Sequence, residues 1–325
     1  MNILLTGGTG FVGSYLAERL LARGYAVTLM GRNFSGVQHL LYAGAQALHC
    51  DLRDYPKVIQ ACKGMDVVCH VGALSKPWGP DREFWETNVL GTQAVIDGCL
   101  RFGVRRLVHT STPSVLFDGR DHHLLNEDTP YPKRLLSAYA KTKKIAEEKV
   151  LSVQSLLEVV ILRPKAIYGH GDHALLPRLI QAAKEGRLCR IGNGKNRVDL
   201  THVEDVAQAL MLATEKPLPN RLRPIYHITG GEHVLLWNVI EKTLAHNGLF
   251  PPKPTLPLPI LLPMLQTMER LSRLTQQEPL LTPYTALLLA KNQTYDISRA
   301  QKDLGYSPQI SIEEGLKRTL AHTLP

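Results

Sequence analysis

The sequence predicts an α/β fold with a doubly wound parallel sheet and a smaller, mixed C-terminal domain. The chain opens with a short apolar run, a glycine-rich turn and an amphipathic helical pattern, in MNILLTGGTGFVG and the residues after it. Apolar and amphipathic segments then alternate, which is typical of strands buried on both faces and joined by helices. After residue 229 this alternation changes to a proline-rich, apolar pattern. With 325 residues and 44% hydrophobic content, the chain can bury a full core.

The first predicted strand, at residues 3–6, leads directly into a glycine-rich turn. Gly8, Gly10 and Gly13 match G-x-G-x-x-G, and from Thr6 the same segment also matches T-G-x-x-G-x-x-G. A dinucleotide-binding turn needs glycine for tight bending, for close approach of the backbone to a pyrophosphate and for helix packing. We therefore expect the cofactor to contact the whole turn, namely Gly7, Gly8, Thr9, Gly10, Phe11, Val12 and Gly13.

The end of the second predicted strand, at residues 25–30, indicates which cofactor is used. Gly31, Arg32 and Asn33 follow it, and none of them is acidic. In NAD-specific sites an acidic side chain near this point binds the ribose 2′-hydroxyl, whereas a basic one accommodates a 2′-phosphate. The sequence therefore favours NADP(H), with Arg32 as the phosphate partner. If Arg32 merely ends a strand, NAD(H) is the alternative.

Hydroxyl side chains follow the fifth predicted strand. The elements up to that point are strands at 45–50, 65–71 and 105–110 and a long helix at 83–102. Ser111, Thr112 and Ser114 come directly after the fifth strand, so we expect their hydroxyls at the carboxyl edge of the sheet, where ligands bind.

The segment 117–132 is predicted to be a loop. His122 and His123 lie in it and have no partner at metal-ligand spacing, so we interpret them as solvated residues and expect no metal site. Five cysteines, odd in number and never in C-x-x-C spacing, are typical of reduced thiols in a cytosolic protein. A cytoplasmic location is therefore expected.

The next helix carries the residues that suit acid–base chemistry. Ser137 is a suitable cap, and Tyr139 and Lys143 stand four residues apart, so they share a face. A tyrosine phenol has an unperturbed pKa of about 10. It needs a nearby cation to lower that pKa before it can act as an efficient acid–base group at neutral pH. We expect Lys143 to be that cation and to bind the cofactor ribose, while Thr112 donates to the substrate oxygen.

The second half of the chain changes character. A sixth strand is predicted at 158–162 and should stop at Arg163-Pro164, because proline interrupts a ladder. Helices are predicted at 175–184 and 203–214. The segment 249–263 is apolar but broken by prolines, which excludes a membrane-spanning helix. It could form a lid over an apolar ligand, a shallow membrane contact, a dimer face or an ordinary packed subdomain.

The net charge of +9 favours anionic ligands or acidic membrane surfaces. Basic residues are spread through the chain without an aromatic-interleaved patch, so nucleic acid is the least supported partner. The N-terminus has the pattern of a strand followed by glycines, which does not indicate a secretory leader. A phosphorylated cofactor accounts for part of the positive charge.

Several motifs together resemble the extended short-chain dehydrogenase/reductase family. They are TGGTGFVG, Asp51-Leu52, NVLGT, HTSTPSV, YAKTK, RPKAIYG and DLTHVEDVA. The resemblance implies a Rossmann domain at about 1–165 plus 198–229 and a substrate domain at about 166–197 plus 230–325. It places the catalytic Ser/Thr, Tyr and Lys on Thr112, Tyr139 and Lys143. The further cofactor contacts that it implies are Asp51 at the adenine, Leu52, Val71, Gly72, Ala73, Pro164 and Ile167.

A second set of motifs resembles the 3β-hydroxysteroid dehydrogenase-like branch of that family. It comprises KPWGP, TPSVLFDG, PYPKRLLSAYAKTK, GNGKNRVDLTHVEDVA, YHITGGE and YDISRAQKDLGYSP. This branch includes 2-alkyl-3-oxoalkanoate reductases and sterol-4α-carboxylate 3-dehydrogenases, which act on a 3-oxygenated apolar skeleton beside a carboxylate. Gly72 stands where the family often has alanine, and Thr112 where serine is commoner. The resemblance also implies a homodimer formed through the helices at 83–102 and 138–150.

The sequence therefore favours an NAD(P)-dependent oxidoreductase that interconverts a 3-oxo and a 3-hydroxy group on an apolar, carboxylated substrate. A nucleotide-sugar epimerase or dehydratase with tightly bound NAD is the alternative on the same scaffold. A non-enzymatic cofactor-sensing protein is a third hypothesis, which Thr112, Tyr139 and Lys143 together disfavour.

Overall fold

The computed structural model describes residues 1–172, 175–219, 223–252, 254–275 and 277–321. Its strands, in chain order, are β1 (Asn2–Thr6), β2 (Ala26–Gly31), β3 (Gln46–His49), β4 (Val67–His70), β5 (Arg106–Thr110), β6 (His122–Leu125), β7 (Glu158–Pro164), β8 (Ile167–Tyr168), β9 (Arg190–Ile191), β10 (Arg197–Asp199), β11 (Thr201–His202), β12 (Ile225–Ile228), β13 (His233–Leu235), β14 (Thr255–Leu256) and β15 (Gln293–Tyr295).

The helices surround these strands. They are α1 (Phe11–Ala22), α2 (Gln38–Tyr42), α3 (Tyr55–Ala61), α4 (Asp81–Phe84), α5 (Gly91–Phe102), α6 (Ala138–Ser152), α7 (Leu176–Lys184), α8 (Val203–Glu215), α9 (Leu236–His246), α10 (Leu258–Thr275), α11 (Pro283–Ala290), α12 (Ser298–Leu304) and α13 (Ile312–Leu320). Between α4 and α5 the chain forms a π-helix at Trp85–Leu90, and short 3₁₀ turns lie at Ser35–Val37 and Pro113–Leu116.

The large sheet is parallel and has the strand order β3-β2-β1-β4-β5-β7-β12. Successive residues of β1 enter different cores: Ile3 and Leu5 pack with the helix pair α1 and α8, and Leu4 packs with α5. The strands are therefore buried on both faces, as the apolar runs predicted. The strand order reverses between β1 and β4, and in such sheets the crevice at this point binds the ligand.

A smaller sheet adjoins the large one, with the order β13-β10-β15-β6. β13 is antiparallel to β10, and the other pairs are parallel, so the sheet is mixed. The α/β fold class with a smaller mixed sheet is thereby confirmed. The two predicted units share segments, because β6 comes from the first half of the chain, and Ile297, Ala300 and Leu304 of the C-terminal part pack in the core of the large sheet.

Two local predictions are wrong. β7 does not stop at Arg163, since Arg163 and Pro164 pair with His227 and Ile228 of β12. Proline is tolerated there because the ladder bond that follows is made by Lys165, whose N–H donates to the Ile228 carbonyl at 3.0 Å. The predicted loop at 117–132 also contains β6.

The strand β6 changes the interpretation of the two adjacent histidines. The His122 N–H donates to the Asn292 carbonyl at 2.9 Å, and the His122 ring contacts an Asp118 oxygen at 2.7 Å. His122 is half-buried, while His123 is exposed. A strand partner about 170 residues away, rather than local sequence, fixes this segment.

The proline-rich segment forms more helix than its sequence suggests. α10 begins at Leu258 and accommodates Pro263 in its interior. Its inner face packs into the third hydrophobic core through Leu261 and Leu265, whereas Ile260 and Leu274 are 73% and 82% exposed. In the part of the chain that the structure describes, no helix has both the length and the apolar character needed to cross a membrane.

Candidate active site

The glycine turn forms a cradle that only glycine permits. Gly7 has φ +68°, and a Cβ there would lie 2.6 Å from the Gly72 Cα. A Cβ at Gly13 would lie 2.2 Å from the Gly7 carbonyl oxygen. A Cβ at Gly8 would lie 3.0 Å from the Leu5 carbonyl oxygen, and one at Gly10 would lie 3.2 Å from the Gly7 carbonyl oxygen, so the glycines of both motif interpretations are restricted.

The start of α1 suits an anion. Gly10 precedes the helix, no side chain caps its first N–H groups, and the first turn contains no acidic residue. Uncapped N–H groups and the positive end of the helix dipole attract a pyrophosphate, and the backbone at Gly7 lets it approach closely. The residues present thus fit a dinucleotide. Thr9, Phe11 and Val12 are half-buried in and after this turn.

The chain after β4 forms the opposite wall of the cradle. The Gly72 N–H donates to the Thr6 carbonyl at 3.0 Å, and Val71 and Ala73 are half-buried on either side. A Cβ at Gly72 would lie 3.0 Å from a Leu52 methyl, so glycine at this position leaves room for that side chain.

Asn88, in the π-helix, fixes the loop after β4 to α6. Its amide oxygen accepts from the Leu74 N–H at 2.8 Å, and its amide nitrogen donates to the Thr142 hydroxyl at 3.1 Å. π-helical turns occur frequently at functional sites. The sequence analysis included Asn88 in the NVLGT motif but gave it no role.

Arg32 follows β2, and Asp51 and Arg53 follow β3; the three side chains form a charged cluster at the carboxyl edge of the sheet. Arg53 donates to both oxygens of Asp51 at 3.0 Å, and an Arg32 nitrogen lies 3.6 Å from Asp51. These hydrogen bonds from Arg53 lower the pKa of Asp51 to about 2. The side chain of Arg32 is 77% exposed. Two guanidinium groups thus face the Asp51 carboxylate, and Glu86 and Glu83 also act electrostatically on Arg53.

The helix α6 presents Tyr139, Lys143 and Glu147 at four-residue spacing toward the end of β5. Ser137 caps this helix as predicted, accepting from the Ala140 N–H at 3.1 Å. Tyr139 is half-buried, and the Thr112 hydroxyl lies near enough to its phenol to act on the pKa of that phenol. The structure therefore brings these two predicted residues together.

Lys143 is directed toward β5. Its ammonium donates to the Thr110 carbonyl at 2.7 Å and lies 3.3 Å from His109 Nε2. Burial lowers the pKa of Lys143 to about 8. The expectation that Lys143 lowers the pKa of Tyr139 is not met here. Burial raises the pKa of Tyr139, the nearby Tyr284 raises it further, and the Thr112 hydroxyl opposes the rise.

The three hydroxyls after β5 have different partners. Ser111 donates to Glu147 at 2.6 Å and is buried, so its hydroxyl is committed to that carboxylate. Ser114 accepts from Thr112 at 3.1 Å. Of the three, Thr112 is the one whose hydroxyl acts on the pKa of Tyr139.

Glu147 holds the segment after β5 in place. It forms a fully buried ion pair with Arg163 and accepts from the Tyr131 hydroxyl at 2.5 Å. Although burial opposes its ionisation, Arg163 and these hydrogen bonds lower the pKa of Glu147. A buried charge must be paired in this way. The sequence analysis missed Glu147, although its position four residues after Lys143 on the same face was a usable signal.

The segment after β7 closes the crevice. Pro164 is buried and Ile167, in β8, is half-buried. Between them Ala166 holds φ +42°, a conformation that is uncommon for a residue other than glycine. Sequence patterning did not indicate this strained position.

A residue from the C-terminal part of the chain also reaches the site. Tyr284, on α11, is 7% exposed and donates to the Ser114 hydroxyl at 2.9 Å. Beside it lies a groove that is lined by Trp78, Ser137, Thr282 and Arg273 among others. Nothing in the local sequence marked Tyr284, since its partner is 170 residues away.

Comparison with known proteins assigns the family. Residues 4–227 match the 3-beta hydroxysteroid dehydrogenase/isomerase family. The chain belongs to this family. It is accordingly an oxidoreductase of the 3-beta hydroxysteroid dehydrogenase/isomerase type with an NAD(P)-binding fold, and the resemblance inferred from the motifs is confirmed.

Relatives within the family cover the whole chain. The protein is 37% identical over 330 residues to a 2-alkyl-3-oxoalkanoate reductase of Stenotrophomonas maltophilia, with 99% of each chain covered. It is 34% identical over 327 residues to the decarboxylating sterol-4-alpha-carboxylate 3-dehydrogenase of Homo sapiens, which covers 97% of this chain and 86% of the human one.

Solved structures agree with the fold. MoeE5 in complex with UDP-glucuronic acid and NAD is 28% identical, with a TM-score of 0.77 and 99% of both chains covered. The structure of gox2253 is 27% identical, with a TM-score of 0.79, and covers 98% of this chain and 96% of that one.

Proposed function

We propose that this family member is an NADP(H)-dependent oxidoreductase that interconverts a 3-oxo and a 3-hydroxy group on an apolar substrate bearing a carboxylate. The observation that carries the proposal is the pairing of Tyr139 with Thr112 at the carboxyl edge, next to a glycine cradle that fits a dinucleotide. Two relatives support the substrate class, because the names of both describe a carboxylated skeleton, an alkanoate and a sterol carboxylate.

Tyr139 is the proton donor in the reductive direction. The nicotinamide supplies the hydride when it is bound. The carbonyl oxygen then gains negative charge and takes the phenolic proton, so the C=O bond becomes CH–OH. Burial raises the pKa of Tyr139, which keeps the phenol protonated at neutral pH and ready to donate. Thr112 holds the substrate oxygen within reach of that proton.

Lys143 positions the cofactor. One donor of its ammonium is committed to the Thr110 carbonyl and a second faces His109 Nε2 at 3.3 Å, and an ammonium has three. The third donor suits a hydroxyl of a ribose. With a pKa of about 8, Lys143 is charged at neutral pH, so its ammonium is available to donate to the ribose.

The charged cluster of Arg32, Asp51 and Arg53 supports NADP(H) rather than NAD(H). The only acidic side chain of that cluster among the described residues, Asp51, is held by Arg53, so it is a poor partner for a ribose hydroxyl. Arg32 is exposed beside it and provides a charge-assisted donor for a 2′-phosphate.

A direct assay tests this proposal. The loss of NADPH or NADH absorbance is followed with a racemic long-chain 2-alkyl-3-oxo acid and, separately, with a 3-ketosteroid. We expect oxidation of NADPH by the oxo acid, and no oxidation by Tyr139→Phe. Activity on the steroid alone would assign the sterol branch. Inactivity of the folded wild-type protein toward both would overturn the proposal.

The second candidate is a nucleotide-sugar epimerase or dehydratase. The structural similarity to MoeE5, a protein solved with UDP-glucuronic acid and NAD, is the observation that favours it. A purified protein that retains NAD and converts a UDP-sugar without net cofactor oxidation would establish this alternative.

A further inference from the structure

A buried lysine lies at the same sheet edge as the catalytic residues and has no role in the chemistry above. Thr110 at the end of β5 pairs with Leu162 of β7. Thr112 follows that pair by two residues and Lys165 by three, so the two segments leave neighbouring strands at nearly the same level. Lys165 therefore lies at the carboxyl edge of the sheet, the edge at which ligands of an open α/β sheet bind.

The surroundings of Lys165 leave hydrogen-bond donors unused. Its side chain is 9% exposed, and its ammonium donates to the Gln293 amide oxygen at 2.7 Å. Gln293 is 1% exposed, and among the described residues its amide nitrogen has no hydrogen-bond partner. A lysine carries three donors, and an unpaired buried donor is costly. Lys165 and Gln293 together thus offer donors to a group that can accept several hydrogen bonds.

The nearest buried carboxylate does not use these donors. One oxygen of Asp199 contacts His233 at 2.5 Å, and the other accepts from the Tyr295 N–H at 2.8 Å. No ion pair within 4.0 Å joins Lys165 to an acidic residue in the described ranges. Asp199 therefore balances the charge of Lys165 at a distance without occupying its donors.

The neighbours of Lys165 connect it to the catalytic tyrosine. The ammonium lies 5.6 Å from the centre of the Tyr295 ring. Tyr284 acts electrostatically on both Tyr295 and Tyr139, so the three phenols are neighbours. Lys165 is thereby linked to Tyr139 through Tyr295 and Tyr284.

The backbone holds Lys165 in a strained segment. The next residue, Ala166, has φ +42°, and Thr201 fixes this conformation, because its hydroxyl donates to the Lys165 carbonyl at 2.5 Å and its N–H to that of Ala166 at 3.2 Å. Strain of this kind persists where the surrounding structure imposes it, and it clusters at functional sites.

We propose that Lys165 and Gln293 bind the carboxylate of the substrate, the lysine ammonium and the glutamine amide nitrogen each donating to a carboxylate oxygen. This assignment rests on the proposed function and adds the residues that select a carboxylated substrate. A carboxylate accepts up to four hydrogen bonds and neutralises the buried ammonium, so its binding satisfies the donors that the protein leaves open.

Binding measured by calorimetry tests the assignment independently of turnover. The probes are a racemic long-chain 2-alkyl-3-hydroxy acid, which is the stable reduced form, and its primary amide. Wild-type protein should bind the acid more tightly than the amide. Lys165→Met should weaken binding of the acid by about tenfold to a hundredfold and leave the amide unchanged, because one charge-assisted hydrogen bond is lost. Lys165→Arg should retain part of the preference.

The controls separate this role from a structural one. Lys302→Met removes the same charge from an exposed position and should behave as wild type. If Lys165→Met does not fold, Gln293→Met takes its place and should weaken acid binding several-fold. Absence of any preference for the acid in the wild type, or the same preference in folded Lys165→Met, overturns the assignment.

The two proposals fail in different ways. If the oxo acid is reduced but the preference for the acid is absent or survives the substitution, the carboxylate assignment alone is wrong. If the wild type prefers the acid through Lys165 but oxidises no NADPH, the proposed reaction is wrong and the binding site stands.

Discussion

The Tyr284 hydroxyl donates a hydrogen bond of 2.9 Å to the Ser114 hydroxyl, which in turn accepts from Thr112 at 3.1 Å. This contact joins α11, in the C-terminal part of the chain, to the loop that carries the Thr112 hydroxyl. The C-terminal part of the chain is thereby connected to a residue proposed to touch the reacting oxygen.

Replacing Tyr284 by phenylalanine should therefore affect turnover more than folding. The ring remains packed, but Ser114 loses a donor and Thr112 a restraint on its orientation. A net hydrogen bond contributes about 0.5–1.5 kcal/mol, so we expect kcat to fall by up to about tenfold, with little change in melting temperature. Steady-state kinetics and thermal unfolding of the variant check this, and a wild-type kcat would contradict it.

Tyr139→Phe should strongly reduce turnover while it leaves cofactor binding intact. The variant lacks the phenolic proton that the substrate oxygen takes, and general acid catalysis contributes about a hundredfold to ten-thousandfold in rate. We expect a loss in that range and an NADPH affinity, measured by fluorescence titration, equal to that of the wild type. Tyr131→Phe is the matched control, because Tyr131 bonds to Glu147 rather than to Thr112.

Loss of the hydroxyl should lower kcat at Thr112 and stability at Ser111. Thr112→Ala should lower kcat by about a hundredfold, and Thr112→Ser should restore most of it, because the hydroxyl beside Tyr139 returns. Ser111→Ala should instead lower stability by about 1–3 kcal/mol, since the buried Glu147 loses a donor. Kinetics and urea unfolding of the three variants decide the assignment, and a large kcat loss in folded Ser111→Ala would reverse it.

Local periodicity explains what could be predicted from the sequence. The first strand, its glycine turn and the shared face of Tyr139 and Lys143 depend on residues close together in the chain. Glu147 lies on the same helix face and could also have been predicted from the sequence. Tyr284 could not be predicted, because its contact with Ser114 spans 170 residues. β6 could not be predicted either, because its partner strand is near the C-terminus.

The direction of the Lys143 side chain could not be predicted from the sequence. Four-residue spacing correctly places Lys143 and Tyr139 on one face, yet it does not show where the ammonium points. Burial in the sheet and the Thr110 carbonyl determine that direction, and burial also reverses the expected shift in the pKa of Tyr139. Both effects depend on tertiary surroundings.

Lys143 should make stability depend on pH. Burial lowers its pKa from 10.5 to about 8, so between these values the unfolded chain binds a proton that the folded chain has lost. Stability from this residue therefore rises with pH across that window, by about 3 kcal/mol in total. Urea unfolding of wild type and Lys143→Met at about pH 7 and about pH 11 should show the wild type gaining this amount relative to the variant. Parallel pH profiles would contradict the prediction.

Arg32→Ala should change cofactor preference without impairing catalysis. Arg32 lies 3.6 Å from Asp51 at the end of β2, is largely exposed, and is the proposed donor to the 2′-phosphate. Because a charge-assisted hydrogen bond is lost only with NADPH, we expect the KM for NADPH to rise by about tenfold to a hundredfold and the KM for NADH to stay unchanged. Arg101→Ala removes an exposed arginine on α5 and should alter neither KM. An equal rise in both KM values would mean that Arg32 supports the strand end rather than the phosphate, and NAD(H) would then be the expected cofactor.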